Sequence, residues 1–173
     1  MKHFNKQIIY PRIIPRLFAS TVDLLIISVV STPIMGILSE YIFMFIFKDF
    51  FVQHQINLSD KQAMFQMVRS TEFAQFTTIG KLINYVGALS LLNILFVGAF
   101  FVLFWKYAGT TPGKIIMGMK VVDADSLSKP SIKQSIKRFF GYFTAPFGIW
   151  SVFFTDKRQA LHDKMSNTIV IKR

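Results

Sequence analysis

Two long apolar stretches set the pattern of this chain. From Leu17 to Phe47 only Asp23 and Glu40 carry charge, and from Leu82 to Trp105 no residue does. A helix of about 20 mostly apolar residues crosses a hydrocarbon core of roughly 30 Å, so both stretches predict transmembrane helices. The first crosses over about 17–39, with Pro33 as a kink and an aromatic interfacial end running on to Phe47, and the second over about 82–105. A cleavable leader is a poor match to the first stretch, whose apolar run exceeds the usual ~7–15 residues and holds an aspartate.

The uncharged run from Phe139 to Thr155 is shorter, and Ala145-Pro146-Phe147-Gly148 interrupts it near the middle. Upstream, Ser131 and Gln134 have the spacing of a capping box. Ile132, Ile136, Phe139, Phe140 and Phe143 recur with the helical period, while Lys133, Lys137 and Arg138 fall on other faces. The pattern predicts a broken helix over about 132–155. It lies in the headgroup plane or re-enters, with Lys133, Lys137 and Arg138 on anionic lipid, rather than crossing a third time.

Residues 48–81 form the first connector. Ser59-Asp60-Lys61-Gln62 again has capping-box spacing, and Met64, Phe65, Val68 and Phe76 line one face of an amphipathic helix. In the second connector (106–131), Ile115–Asp123 is β-like with Gly118 as a bulge, and the tail (156–173) holds a second such run, Thr168–Ile171. Two short strands on one side of the membrane would pair into a ribbon that needs support from helices or headgroups. The expected fold is therefore one all-α integral membrane domain over residues 1–173. It has two transmembrane helices, a broken interfacial or re-entrant element and a small cytoplasmic β-ribbon.

Charge sets the expected orientation. The first 16 residues carry four basic and no acidic groups, the first connector four against three, residues 106–138 seven against two, and the tail five against two. The positive-inside rule puts both termini and the second connector in the cytoplasm, and the first connector outside. An even number of crossings satisfies this. A bacterial inner (cell) membrane is the expected location.

Composition agrees: 52% of residues are hydrophobic and 17% charged, against about 45–50% and about 25% in soluble domains. The net charge of +11 lies between the apolar runs, which points to a bilayer with anionic headgroups rather than nucleic acid. Without cysteine, and with His3, His54 and His162 scattered, neither a disulfide nor a metal site nor a cofactor is expected.

The candidate chemistry is polar and membrane-embedded. Arg16 and Asp23 are seven apart, on nearly one helical face, with Ala19 and Ser20 between them. A carboxylate inside a span needs a partner, water or a raised pKa. Its structural reading is an ion pair, or a hydrogen bond to polar partners such as Ser20, Asn84 or Asn93; its functional reading is a proton or cation site. Gly109–Lys114 fails the phosphate-loop spacing, because Ala108 and Ile115 stand where that motif needs Gly and Ser/Thr. Thr111-Pro112-Gly113-Lys114 reads instead as the turn after the second span, with Lys114 and Lys106 facing headgroups. His162-Asp163 lacks a nucleophile in an appropriate elbow, so no enzyme is expected.

Taken in order, these motifs resemble the RDD family of membrane proteins, named for one arginine and two aspartates. The resemblance rests on Arg16-x-x-Ala19-x-x-x-Asp23, Gly109-Thr110-Thr111-Pro112-Gly113-Lys114, Met119–Asp123, Ser131–Arg138, Leu161-His162-Asp163 and Thr168-Ile169-Val170. It implies that Arg16, Asp23 and Asp163 are the name-giving residues. Ser166-Asn167 replaces the family's usual Ala-Gly. The resemblance also implies a role of transport type, with cation/proton exchange the most concrete idea. In that reading Asp23 binds the cation or proton, Arg16 tunes it and Asp163 approaches as a second carboxylate. Two spans enclose no polar path, so transport would need a homo-oligomer or a larger membrane partner. The alternatives are a non-catalytic scaffold or assembly factor with structural Arg and Asp residues, and an anionic-lipid-binding protein.

Overall fold

A computed structural model describes residues 8–144 and 148–173. The chain divides into two compact units, one formed by the residues up to Ser28 with Val97–Arg173, the other by Val29–Phe96. Helices α1 (Ile13–Gln53) and α4 (Ile79–Leu103) run through both. Their apolar windows are only 17% and 11% buried. Apolar helices so exposed suit a lipid environment rather than the core of a soluble domain. α1 continues through Pro33 and far past the crossing expected over 17–39. Its 41 residues rise about 60 Å at ~1.5 Å each, beyond what a bilayer core of roughly 30 Å requires.

In the unit from Val29 to Phe96, α2 (Lys61–Val68) and α3 (Thr71–Phe76) follow α1. The cap of α2 is Asp60, not Ser59: its carboxylate accepts from the Gln62 and Ala63 amides at 3.1 and 3.0 Å. Phe47, Phe50 and Phe51 on α1 bury against Phe73 on α3, with Met64, Met67, Val68 and Phe76 packed around them. Phe65 is exposed and carries the Arg69 guanidinium 4.0 Å above its ring.

The other unit is mixed. α4 widens into a π-helical turn, Phe104–Ala108, and then come α5 (Pro112–Ile116) and β1 (Met119–Asp123). Ile115 and Ile116 were expected in a strand but are helical, since Pro112 at the first helical position nucleates a turn there. Gly118 is no bulge; its φ of +61° makes the left-handed reversal that frees the chain to start β1. α6 (Ile132–Gly141) opens with the expected capping box, Ser131 Oγ accepting from the Gln134 amide at 3.2 Å and Gln134 Oε1 from the Ser131 amide at 2.9 Å. Short 3-10 segments at Tyr142–Thr144 and Ile149–Phe154, α7 (Leu161–Met165) and β2 (Thr168–Lys172) complete it. Of the expected break, Ala145-Pro146-Phe147 lies outside the described residues.

β1 and β2 pair antiparallel, Met119 with Lys172 through Asp123 with Thr168. One face of this ribbon, Met119, Val121 and Val170, packs on Ala19, Phe101 and Trp105. The other, Val122, Ile169 and Ile171, meets Tyr10 and Ala124. Two strands alone are marginal; here helices cover one side and the entering chain the other, where the Lys172 amide donates to the Ile9 carbonyl at 3.0 Å. The fold is mostly helical, with two apolar helices of membrane-crossing length and a small two-stranded sheet.

Candidate functional site

The face of α1 that carries Arg16, Ala19 and Asp23 is buried, and each end of it holds a charged node. At Asp23, Oδ2 accepts from Thr111 Oγ1 at 2.5 Å and Oδ1 from the Gly113 amide at 2.7 Å. Lys114 Nζ stands 3.6 Å from Oδ2 and donates to Thr111 Oγ1 at 3.4 Å. The Thr-Pro-Gly-Lys segment makes this possible. Thr111 is extended, Pro112 starts α5, and the second helical amide, Gly113 N–H, is free to donate outward. Gly113 must be glycine, because a Cβ there would stand 2.0 Å from the Ala19 carbonyl oxygen.

At the other end, Arg16 Nη1 donates to Asp163 Oδ2 at 2.6 Å, and Arg138 Nη1 lies 2.5 Å from Asp163 Oδ1. Asp163 sits in the first turn of α7, where Oδ2 also accepts from the Ala160 amide at 3.0 Å. Burial would raise its pKa, but Arg138 and Arg16 beside it hold the carboxyl well below the usual carboxylate range. Arg138 also donates to Thr168 Oγ1 at 2.5 Å and lies over the Trp105 ring, 5.1 Å from its centroid. His162, whose ring packs tilted against Tyr142 with centroids 4.5 Å apart, is pushed down to about 3 by burial, so it is neutral at physiological pH.

Several expectations change. Arg16 pairs with Asp163 rather than tuning Asp23, because seven helical residues separate the two by about 10 Å along the axis. Asp23 is answered by Thr111, Gly113 and Lys114, while Ser20 is half-buried and Asn84 and Asn93 are exposed. Lys114 does not face headgroups: it is buried at 3% exposure, drawn in by the Asp23 carboxylate. Arg138 is likewise withdrawn from the lipid-facing set, at 1% exposure, whereas Lys133 and Lys137 are exposed.

The sequence reading missed Thr111 and Gly113 as ligands of Asp23 and Arg138 as a ligand of Asp163. One signal for Arg138 was present: Ser135, Arg138 and Gly141 recur at a spacing of three and form the buried face of α6. Small residues on both sides of a cation mark a face packed against protein. The Ser166-Asn167 turn is also accounted for. Asn167 adopts φ of +50°, a left-handed conformation that Asn tolerates better than most residues. Its side-chain amide donates to Asp125 Oδ2 at 2.6 Å, and Ser166 Oγ donates to the His162 carbonyl at 2.7 Å.

The RDD family profile matches residues 10–167, which include both nodes. An uncharacterised protein of Rickettsia prowazekii (strain Madrid E) is 39% identical over 171 residues, covering 97% of this chain and 99% of the relative. No solved structure matches the chain. With Arg16, Asp23 and Asp163 all inside the matched region, the chain belongs to the RDD family of membrane-type proteins.

Proposed function

We propose that this protein is a non-catalytic membrane scaffold or assembly factor in which Arg16, Asp23 and Asp163 act as internal cross-links. One observation carries the reading: both buried carboxylates are already met within the same chain, Asp23 by hydrogen bonds from Thr111 and the Gly113 amide with Lys114 as counter-ion, and Asp163 by hydrogen bonds from Arg16 and the Ala160 amide with Arg138 as a second counter-ion. A carboxylate so answered has little capacity left to bind and release an ion. The links join the start of α1 to the segment after α4 and to α7, elements 88 to 147 positions apart. They leave the surface free to engage a partner.

The β1–β2 pairing supports an even number of crossings, since partner strands share one side of the membrane, and with the positive-inside pattern it favours cytoplasmic termini. The bacterial relative supports a bacterial cell membrane.

A transport reading retains one supporting contact. Lys114 Nζ at 3.6 Å from Asp23 is longer than a hydrogen bond, so the amine stands where an exchangeable cation would. Purified protein in vesicles loaded with a pH-sensitive dye separates the two. The scaffold reading expects no cation-dependent proton flux from the wild type, and a lower melting temperature for Asp23→Asn. Wild-type flux that a folded Asp23→Asn variant lacks would overturn it.

A further inference from the structure

The third apolar element of the chain is not absorbed by the charged nodes, and both of its described parts expose aromatic side chains. On α6, Ile136 and Phe140 are exposed, followed by Phe143. After residues 145–147, the 3-10 segment Ile149–Phe154 turns Val152 inward, while Ser151 Oγ donates to the Gln159 carbonyl at 2.9 Å. Trp150, Phe153 and Phe154 point out, at 61%, 60% and 86% exposure. Rings this exposed are costly in water. The six residues of this segment rise only about 12 Å at ~2.0 Å each, far short of a core of roughly 30 Å. This segment is therefore too short to span by itself and too apolar for water. Lys133 and Lys137 are exposed on the same helix as Ile136 and Phe140, while Arg138, the third cation of this helix, is spent internally on Asp163.

We infer that residues 132–144 with 148–154 form an interfacial platform that lies on the same membrane leaflet throughout, its rings in the acyl boundary and Lys133 and Lys137 on anionic phospholipid headgroups. Charge complementarity and continuity with the apolar helices favour the bilayer surface over a second copy of the chain as the occupant. The proposal is independent of whether the nodes are structural or transporting.

The chain has no cysteine, so single labels report without a background. Phe143→Cys and Phe154→Cys, each spin-labelled in the full-length protein, are placed in nanodiscs of phosphatidylcholine with phosphatidylglycerol, and depth is read from oxygen against nickel-chelate accessibility. Both labels are expected at one shallow depth, about 5–10 Å into the boundary. Lys133→Gln with Lys137→Gln should weaken retention of phosphatidylglycerol in native mass spectrometry by about fivefold per lysine, an effect that fades with salt. The proposal falls if Phe154→Cys reports the bilayer midplane or the opposite leaflet, if both labels report water, if dipolar broadening shows the rings buried against a second copy, or if lipid retention is unchanged.

Discussion

Between Val29 and Phe96, Phe47, Phe50 and Phe51 surround Phe73 with ring centroids 5.0 to 6.2 Å apart, and no buried ion pair takes part. Around the first turns of α1, beside the apolar Ala19 and Trp105, the buried side chains include Arg16, Asp23, Lys114, Arg138 and Asp163, and the links from Asp23 to Thr111 and from Arg16 to Asp163 span 88 and 147 positions. The contrast concerns tolerance. Apolar packing degrades by degrees, in proportion to the volume removed, because neighbours relax partway into the gap. A buried charge network fails abruptly, because removing one partner strands the other without solvent. The phenylalanine unit should accept substitution, and the charged unit should not.

The largest effect is expected at Asp163, which answers two cations. Asp163→Ala leaves Arg16 and Arg138 buried without a counter-ion and should cost about 3–5 kcal/mol. Denaturant unfolding in detergent checks this, followed by the fluorescence of Trp105, which is buried in the same unit. Acid should expose the same unit more gently. His162 has a folded pKa of about 3, below the ordinary value of about 6.5. The unfolded chain therefore binds the extra proton first: stability is complete above pH 6.5 and falls as the pH drops toward 3. At about 1.4 kcal/mol per pH unit the loss by pH 5 is about 2 kcal/mol. His162→Phe, which keeps a ring against Tyr142, should flatten the melting temperature between pH 6.5 and 5; an unchanged slope would assign the loss to other groups. The smallest change belongs to the aromatic unit. Phe73→Leu should cost about 1 kcal/mol and leave the Trp105 signal of the native state unaltered.

The long elements of the fold were legible because their signals are local. An uncharged run from Leu82 to Trp105 and the Ser131/Gln134 spacing need no tertiary information. Ile115 and Ile116 misled because β-branched residues favour strands only weakly, and Pro112 at a helix start outweighed them. The pairing of the charges was the illegible part. Periodicity says which face Arg16 and Asp23 occupy, but not that Thr111 and Asp163 meet that face from 88 and 147 positions further along the chain. Lys114 and Arg138 looked like surface cations for the same reason, since a lysine or arginine turns inward only where a buried carboxylate awaits it.

The cross-linking role is tested most directly by adding Arg138→Met to Asp163→Ala and measuring unfolding free energy against both single variants. If the charges are mutual partners, the second substitution removes one stranded cation, and the double variant should be more stable than Asp163→Ala alone. Losses that simply add would contradict the account, because Arg138 and Asp163 would then be stabilising the protein independently of each other.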